Sequence, residues 1–183
     1  SRGLFMGCPA GSSSQITSAN LYKAFGMEAA GFDLGDPGSA AGLDGSLAKA
    51  YERGEGWFGY YWAPTSFLGK YPMVKVDFEV EHDAEEWNKC TVVPDCANPK
   101  PNAWVASEVF TVTTSGFSSK SPEAYGYVSK RNFSNKFMNA FLKWMDESQA
   151  SGEEAAEEFL MSHEDVWGAW VSADVAAKIK ASL

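Results

Sequence analysis

Apolar positions come in short bursts over the first half of the chain and settle into a helical period over the second. Leu4 to Met6 is a short apolar run that predicts a strand. A Gly/Ser turn follows, from Gly7 to Ser14. Ile16, Ala19, Leu21, Tyr22 and Phe25 then recur at helical spacing, with Gly26 as the stop. Gly31 to Leu34 predicts a second strand, turned by Gly35-Asp36-Pro37-Gly38. Ser39 caps a helix over Ala40 to Arg53 whose apolar face is Leu43, Leu47, Ala50 and Tyr51, and Gly54 ends it. Gly56 to Pro64 predicts an aromatic strand, the stretch around which the chain is organised. Period-two alternation puts Phe58, Tyr60 and Trp62 on one face and Trp57, Gly59 and Tyr61 on the other. Pro64 closes it, because proline donates nothing to a ladder. Thr65 to Leu68 predicts a helical turn broken by Gly69, and Tyr71 to Val80 alternates as a further strand with Val74, Val76, Phe78 and Val80 on one face.

Glu81 to Asn102 is a long polar loop with Pro94, Pro99 and Pro101, and loops of that length usually carry function or cover something. Trp104 to Phe117 reads as a long β-like run and a connection between two lobes. Everything after it is helical. Ser121-Pro122-Glu123 opens one helix with proline in its first turn. Asn132 or Ser134 caps an amphipathic helix marked by Phe133, Phe137, Phe141 and Trp144. The acidic stretch Glu153 to Glu158 opens another helix, its charge suiting the helix dipole. Trp167, Trp170 and Val171 pack a short helix, and Ser172 caps the last, Ala173 to Leu183. The composition therefore shifts near residue 115, from βαβα with a sheet to helices only. The fold class is α/β, and a helix-only segment must lean on something else.

Composition changes this picture little. With 45% hydrophobic and 21% charged residues the chain is an ordinary globular one of one domain or two small lobes. The net charge of −9 excludes nucleic acid and an anionic membrane as partners, since both need a basic surface. No apolar run reaches membrane-spanning length. Of the three cysteines, Cys90 and Cys96 bracket a short loop and are close enough in sequence for a small disulfide in an oxidising compartment, which leaves Cys8 as the odd one. No zinc-type CxxC spacing occurs, so no metal or other cofactor is expected. Two features carry candidate chemistry. The end of the aromatic strand, with Tyr61 and Trp62, lies where open α/β sheets hold ligands. Trp62 there reads equally as core and as ligand wall. The helix start at Ser12, Ser13 and Ser14 presents unpaired backbone N–H groups that suit a carboxylate or phosphate, or else is an ordinary cap by Ser13 or Ser14. It is not a phosphate loop of the Gly-Lys-Ser/Thr kind.

Gly-Cys-Pro followed by Gly-Ser-Ser-Ser, then Ala-Tyr-Glu-Arg-Gly-Glu, Tyr-Tyr-Trp-Ala-Pro and Lys-Tyr-Pro-Met-Val-Lys-Val together resemble the glycine betaine/proline betaine binding proteins of ABC importers. The Ser-Pro-Glu-Ala helix start and the Trp-containing end are similar too, so the resemblance covers nearly the whole chain. It implies a type II periplasmic binding protein fold of two α/β lobes. Residues 1–112 would be the complete α/β ligand-binding lobe, the family's middle one, and 113–183 the crossover and helical C-terminal part of the first lobe. The chain would then be a fragment lacking the N-terminal part of that first lobe, with a surface open to dimerisation. The family holds a quaternary ammonium among aromatic rings by cation–π attraction and a carboxylate on a helix N-terminus. Trp62 stands at the cage-Trp position, Ser12, Ser13 and Ser14 at the helix start, and Tyr61 and Trp104 as further rings. Some members carry a Trp and a Cys in the loop where this chain has serines, so one cage wall is lost here, as is a disulfide partner for Cys8.

The function so implied is the extracytoplasmic, periplasmic solute receptor of an ABC importer. It serves osmoprotectant uptake beside a membrane permease and an ATPase, with no enzymatic step. Choline, carnitine, a sulfonium zwitterion or an amino acid are the alternative solutes. The enzymatic rival is a hydrolase with Ser12, Ser13, Ser14 or Cys8 as nucleophile. Its only base would be His82 or His163, both of which read as solvated surface residues.

Overall fold

The computed structural model describes residues 2 to 183 as two compact units. The first holds the residues up to Ala63 together with Tyr71–Ala106. The second holds Pro64–Lys70 and Ser107–Leu183.

The first unit is built on a parallel pair. Strand β1 (Gly3–Met6) runs beside β2 (Phe32–Gly35), with Gly3 opposite Phe32 and Met6 opposite Gly35. Parallel neighbours need a crossover, and α1 (Ser13–Ala24) supplies it. The chain leaves α1 through Gly26, whose φ of 60° lies in the left-handed region glycine tolerates. Helix α2 (Ala40–Glu52) starts where Ser39 Oγ accepts the Gly42 N–H at 3.0 Å. Leu43 and Leu47 on its inner face are fully buried, and Leu21, Ala50 and Tyr71 join them in the core. Each such leucine contributes about 1.5–3 kcal/mol of burial.

Helix α4 (Ala84–Glu86) continues into a π-helical turn, Trp87–Thr91. Cys90 and Cys96 are disulfide-bonded there, their Cα atoms 5.3 Å apart, while Cys8 is free and buried. The buried Asn20 side chain on α1 reaches the carbonyls of Cys90, Thr91 and Val93 at 2.9–3.1 Å, which ties this loop to the crossover helix. Asn102, also buried, exchanges two hydrogen bonds with the Asp83 backbone.

The regular elements of the second unit are all helices among its described residues. Helix α3 (Ser66–Lys70) packs on α7 (Asn135–Ser148). Helices α5 (Phe117–Lys120), α6 (Pro122–Lys130), α8 (Gly152–Ser162), α9 (Glu164–Trp167) and α10 (Ala173–Ser182) complete it, with a 3-10 turn at Gly168–Trp170. Serines cap three of these helices. Ser134 caps α7, Ser151 forms a capping box with Glu154 on α8, and Ser172 caps α10. Trp167 and Trp170 are buried, and the Trp167 indole donates to the Leu160 carbonyl at 3.0 Å.

Several expected elements differ. The aromatic stretch Gly56–Pro64 is no strand. It touches β1 through a single parallel bridge, Met6 to Gly59. The Met6 N–H donates to the Phe58 carbonyl at 2.9 Å, and the Tyr60 N–H donates to the Met6 carbonyl at 2.8 Å. There β1 ends at Met6 and the chain continues as irregular backbone through Gly7–Pro9, so no ladder remains to extend. Gly59 is needed at the bridge, because a Cβ would sit 2.6 Å from the Met6 oxygen. Residues 72–80 and 104–114 are also not strands. Glu79, at φ 55°, gives its N–H to Asp77 Oδ1 in a local turn that interrupts the first. The second is solvent-exposed, with Val109 97% and Phe110 73% accessible, and has no ladder partner among the described residues.

Gly69 does not break its helix but lies within α3, where a Cβ would come 2.2 Å from the Asn139 carbonyl oxygen. The polar loop 81–102 contains α4 and the π turn. Neither Ser13 nor Ser14 is the cap of α1; the cap position is Ser12. His163 is not a solvated residue either. Its ring sits 5.0, 5.6 and 6.0 Å from Phe137, Phe141 and Phe159, among the apolar faces of α7 and α8.

Candidate functional site

The bridge at Gly59 fixes where the aromatic residues emerge. Beyond it the backbone leaves β1, and consecutive side chains are no longer forced to opposite faces. Trp62 therefore touches both of the residues before it. Its ring stacks on Tyr61 at 4.8 Å and 13°, and on Tyr60 at 6.2 Å and 29°. Tyr60 lies 5.2 Å from Trp104, Trp104 5.9 Å from Trp87, and Trp87 5.4 Å from His82. The result is one continuous row of rings within the first unit. Trp62, 41% accessible, is its open end, and Tyr60 and Trp104 are half-buried. The Tyr61 hydroxyl donates to Asp44 Oδ1 on α2 at 2.6 Å, which orients that ring and places a carboxylate at the edge of the row. Aromatic faces carry negative potential, so the row with Asp44 favours a cation.

Beside it lies the start of α1. The Ser12 hydroxyl caps no first-turn N–H. It is held instead against Cys8 Sγ at 2.9 Å and donates to the Pro9 carbonyl at 3.1 Å. The Gln15 N–H is taken by the Ser12 carbonyl at 3.1 Å. Among the described residues the N–H groups of Ser13 and Ser14 have no acceptor, and the helix dipole favours an anionic one. The Ser13 side chain is exposed, and Ser14 Oγ accepts from the Tyr60 hydroxyl at 3.1 Å. Burial, foremost, pushes the Tyr60 phenol up; Cys8 adds to the rise and the hydrogen bond with Ser14 opposes it. The phenol therefore stays protonated at neutral pH and remains a donor.

The structure thus brings Trp62, Tyr61 and Trp104 together, and Ser14 joins them through Tyr60. Ser12 turns toward Cys8, and the Ser13 side chain is exposed. Sequence reasoning missed Tyr60 and Trp87. Tyr60 was legible as the residue sharing a face with Trp62, but its bond to Ser14 links stretches 46 residues apart. Trp87 stands in a polar loop and gave no signal. His82 is exposed and meets the Ala103 carbonyl at 3.0 Å.

Among the described residues no group of three His, Cys, Asp or Glu side chains is placed to hold a metal ion, and no helix is long and apolar enough to cross a membrane. The second unit has a cleft of about 690 Å³ between α6, α8 and α10, walled by Tyr127, Phe159, Trp170 and Val175, and none of the expected site residues lines it. Residues 1–162 match the family model described as the substrate-binding domain of the ABC-type glycine betaine transport system.

Proposed function

The chain belongs to this family of substrate-binding domains of ABC-type glycine betaine transport systems, and on that premise we propose that it takes glycine betaine or a close quaternary ammonium zwitterion. As a member it is the extracytoplasmic solute-binding component of an importer, a partner of the permease and the ATPase rather than an enzyme family. In this reading the onium head lies on the ring row at Trp62, with Tyr60, Tyr61 and Trp104 behind it, and the carboxylate meets the Ser13 and Ser14 N–H groups. Residues 1–112 serve as the ligand-binding lobe of a type II periplasmic binding protein fold, and 113–183 as the helical part of the other lobe.

The observation that carries the reading is the juxtaposition of a cation-favouring ring row with an uncapped helix start, joined by the bond from Tyr60 to Ser14. The two ends complement a ligand with one positive and one negative end. The serines of the loop leave the cage one wall short of members with an indole there, which keeps choline, carnitine and sulfonium zwitterions as alternative solutes. Tryptophan-fluorescence titration with glycine betaine, proline betaine, choline and an uncharged isostere tests it. Saturable quenching by the betaines, weaker with choline, and none with the isostere is expected. Silence across the panel from folded protein overturns the onium reading.

A further inference from the structure

Tyr60 is placed unlike any other ring in the row. Its backbone N–H is fixed to the Met6 carbonyl on β1 at 2.8 Å, so its Cα does not drift with the loop. Its ring touches Trp62 on one side and Trp104 on the other. Its hydroxyl reaches across to Ser14 Oγ at 3.1 Å, in the first turn of α1. A single side chain, anchored at the sheet, therefore spans from the rings to the helix start. The phenol is protonated, so the bond is made by the hydroxyl donating, with no charge that a ligand carboxylate would repel.

We propose that Tyr60 is a positioning residue that sets the distance between the cation end and the anion end of the site, and so selects ligands by the spacing between onium and carboxylate. This rests on the onium-and-carboxylate reading above. The rings alone bind any onium and the helix start alone binds any carboxylate. Only the separation between them distinguishes glycine betaine from homologues with more methylenes between the same two groups. The Tyr60–Ser14 bond fixes that separation on the chain's side. Without it the Trp62 ring and the α1 start are free to adjust, and longer homologues are admitted.

The test compares glycine betaine with its homologue having three methylenes between onium and carboxylate, by titration calorimetry on the wild type, Tyr60→Phe, Ser14→Ala and the double variant. Tyr60→Phe keeps the ring and removes only the hydroxyl. The wild type is expected to discriminate between the two ligands, and Tyr60→Phe to reduce that discrimination by about threefold to tenfold, the range a neutral hydrogen bond covers. Ser14→Ala reaches the same bond from its other end and should give the same change, with no further change in the double variant. A purely structural role lowers both affinities in parallel. A parallel loss, an unchanged ratio, or a wild type indifferent to spacing overturns the proposal while leaving the onium reading intact. Absence of binding by folded wild type overturns both. If Tyr60→Phe does not fold, the ratio in Ser14→Ala decides.

Discussion

Trp62 combines accessibility with stacking on the two tyrosines that precede it in the chain. Tyr61 is held by Asp44 and Tyr60 by Ser14, so the indole rests on two rings that are themselves fixed. A cation arriving at the open face meets a surface that needs no reordering, and preorganisation of this kind raises affinity. Trp62→Ala is expected to weaken glycine betaine binding about 10-fold or more, from about 1.5 kcal/mol of cation–π attraction. Because Trp62 is well exposed, its thermal unfolding should shift little, and titration calorimetry beside a melting curve separates the two effects. Unchanged affinity removes Trp62 from the site. Cys8 shows the opposite behaviour. It is buried, and its thiol lies against the Ser12 hydroxyl at 2.9 Å.

Elements meet most tightly where α3 crosses α7. Gly69 lets the two backbones approach until a Cβ would lie 2.2 Å from the Asn139 carbonyl oxygen, and the Asn139 side chain accepts the Thr65 N–H at 2.7 Å. Gly69→Ala is therefore expected to cost about 1–3 kcal/mol by overpacking, read as a lower denaturant midpoint; an unchanged midpoint would mean the contact is looser than described. Helix starts also set the response to acid. The Glu86 and then the Glu85 N–H groups hold the Asp83 carboxyl below its ordinary range, and the Ser151 N–H does the same for Glu154. A depressed folded pKa means the contribution is complete above the ordinary carboxylate range and is lost as pH falls through the lower, folded value. Both groups are exposed, so the effect is modest. Melting temperature followed from neutral to strongly acidic pH should fall less steeply in the Asp83→Asn, Glu154→Gln double variant; an unaltered acid limb would assign the loss to other carboxylates.

At the scale of the whole molecule, the disulfide and the exposed stretch 107–114 are the features that govern stability and cleavage. Cys90–Cys96 closes a short loop that Asn20 fastens to α1. Constraining so short a loop contributes about 2 kcal/mol, so a reductant is expected to lower the first unit's melting temperature. Insensitivity to reductant would show that the Asn20 bonds suffice. Val109, Phe110 and Val112 are almost fully exposed on a stretch without ladder bonds among the described residues. Brief digestion with chymotrypsin should therefore cut first after Phe110, identified by the mass of the two products. A first cut elsewhere would mean this stretch is protected in solution.

The longer helices were legible because what specifies them is local. Ser39, Ser134, Ser151 and Ser172 cap helices within three residues of themselves, Pro122 starts one, and Gly26 follows one. Apolar spacing of the same range marked α1, α2 and α7, and the acidic run Glu153 to Glu158 marked α8. The sequence also determined the family, since the motifs around Gly7 to Ser14 and Tyr60 to Pro64 are contiguous. Tertiary structure alone decided which alternating runs become strands. Val74 to Val80 and Trp104 to Val112 have the side chains of strands, but a strand exists only where another backbone is aligned to receive its hydrogen bonds, and alternation carries no information about that partner. The same holds for the site. Trp62 and Ser14 were visible singly, but the bond that makes them one site passes through Tyr60 across 46 positions, and a distance of that kind is set by packing.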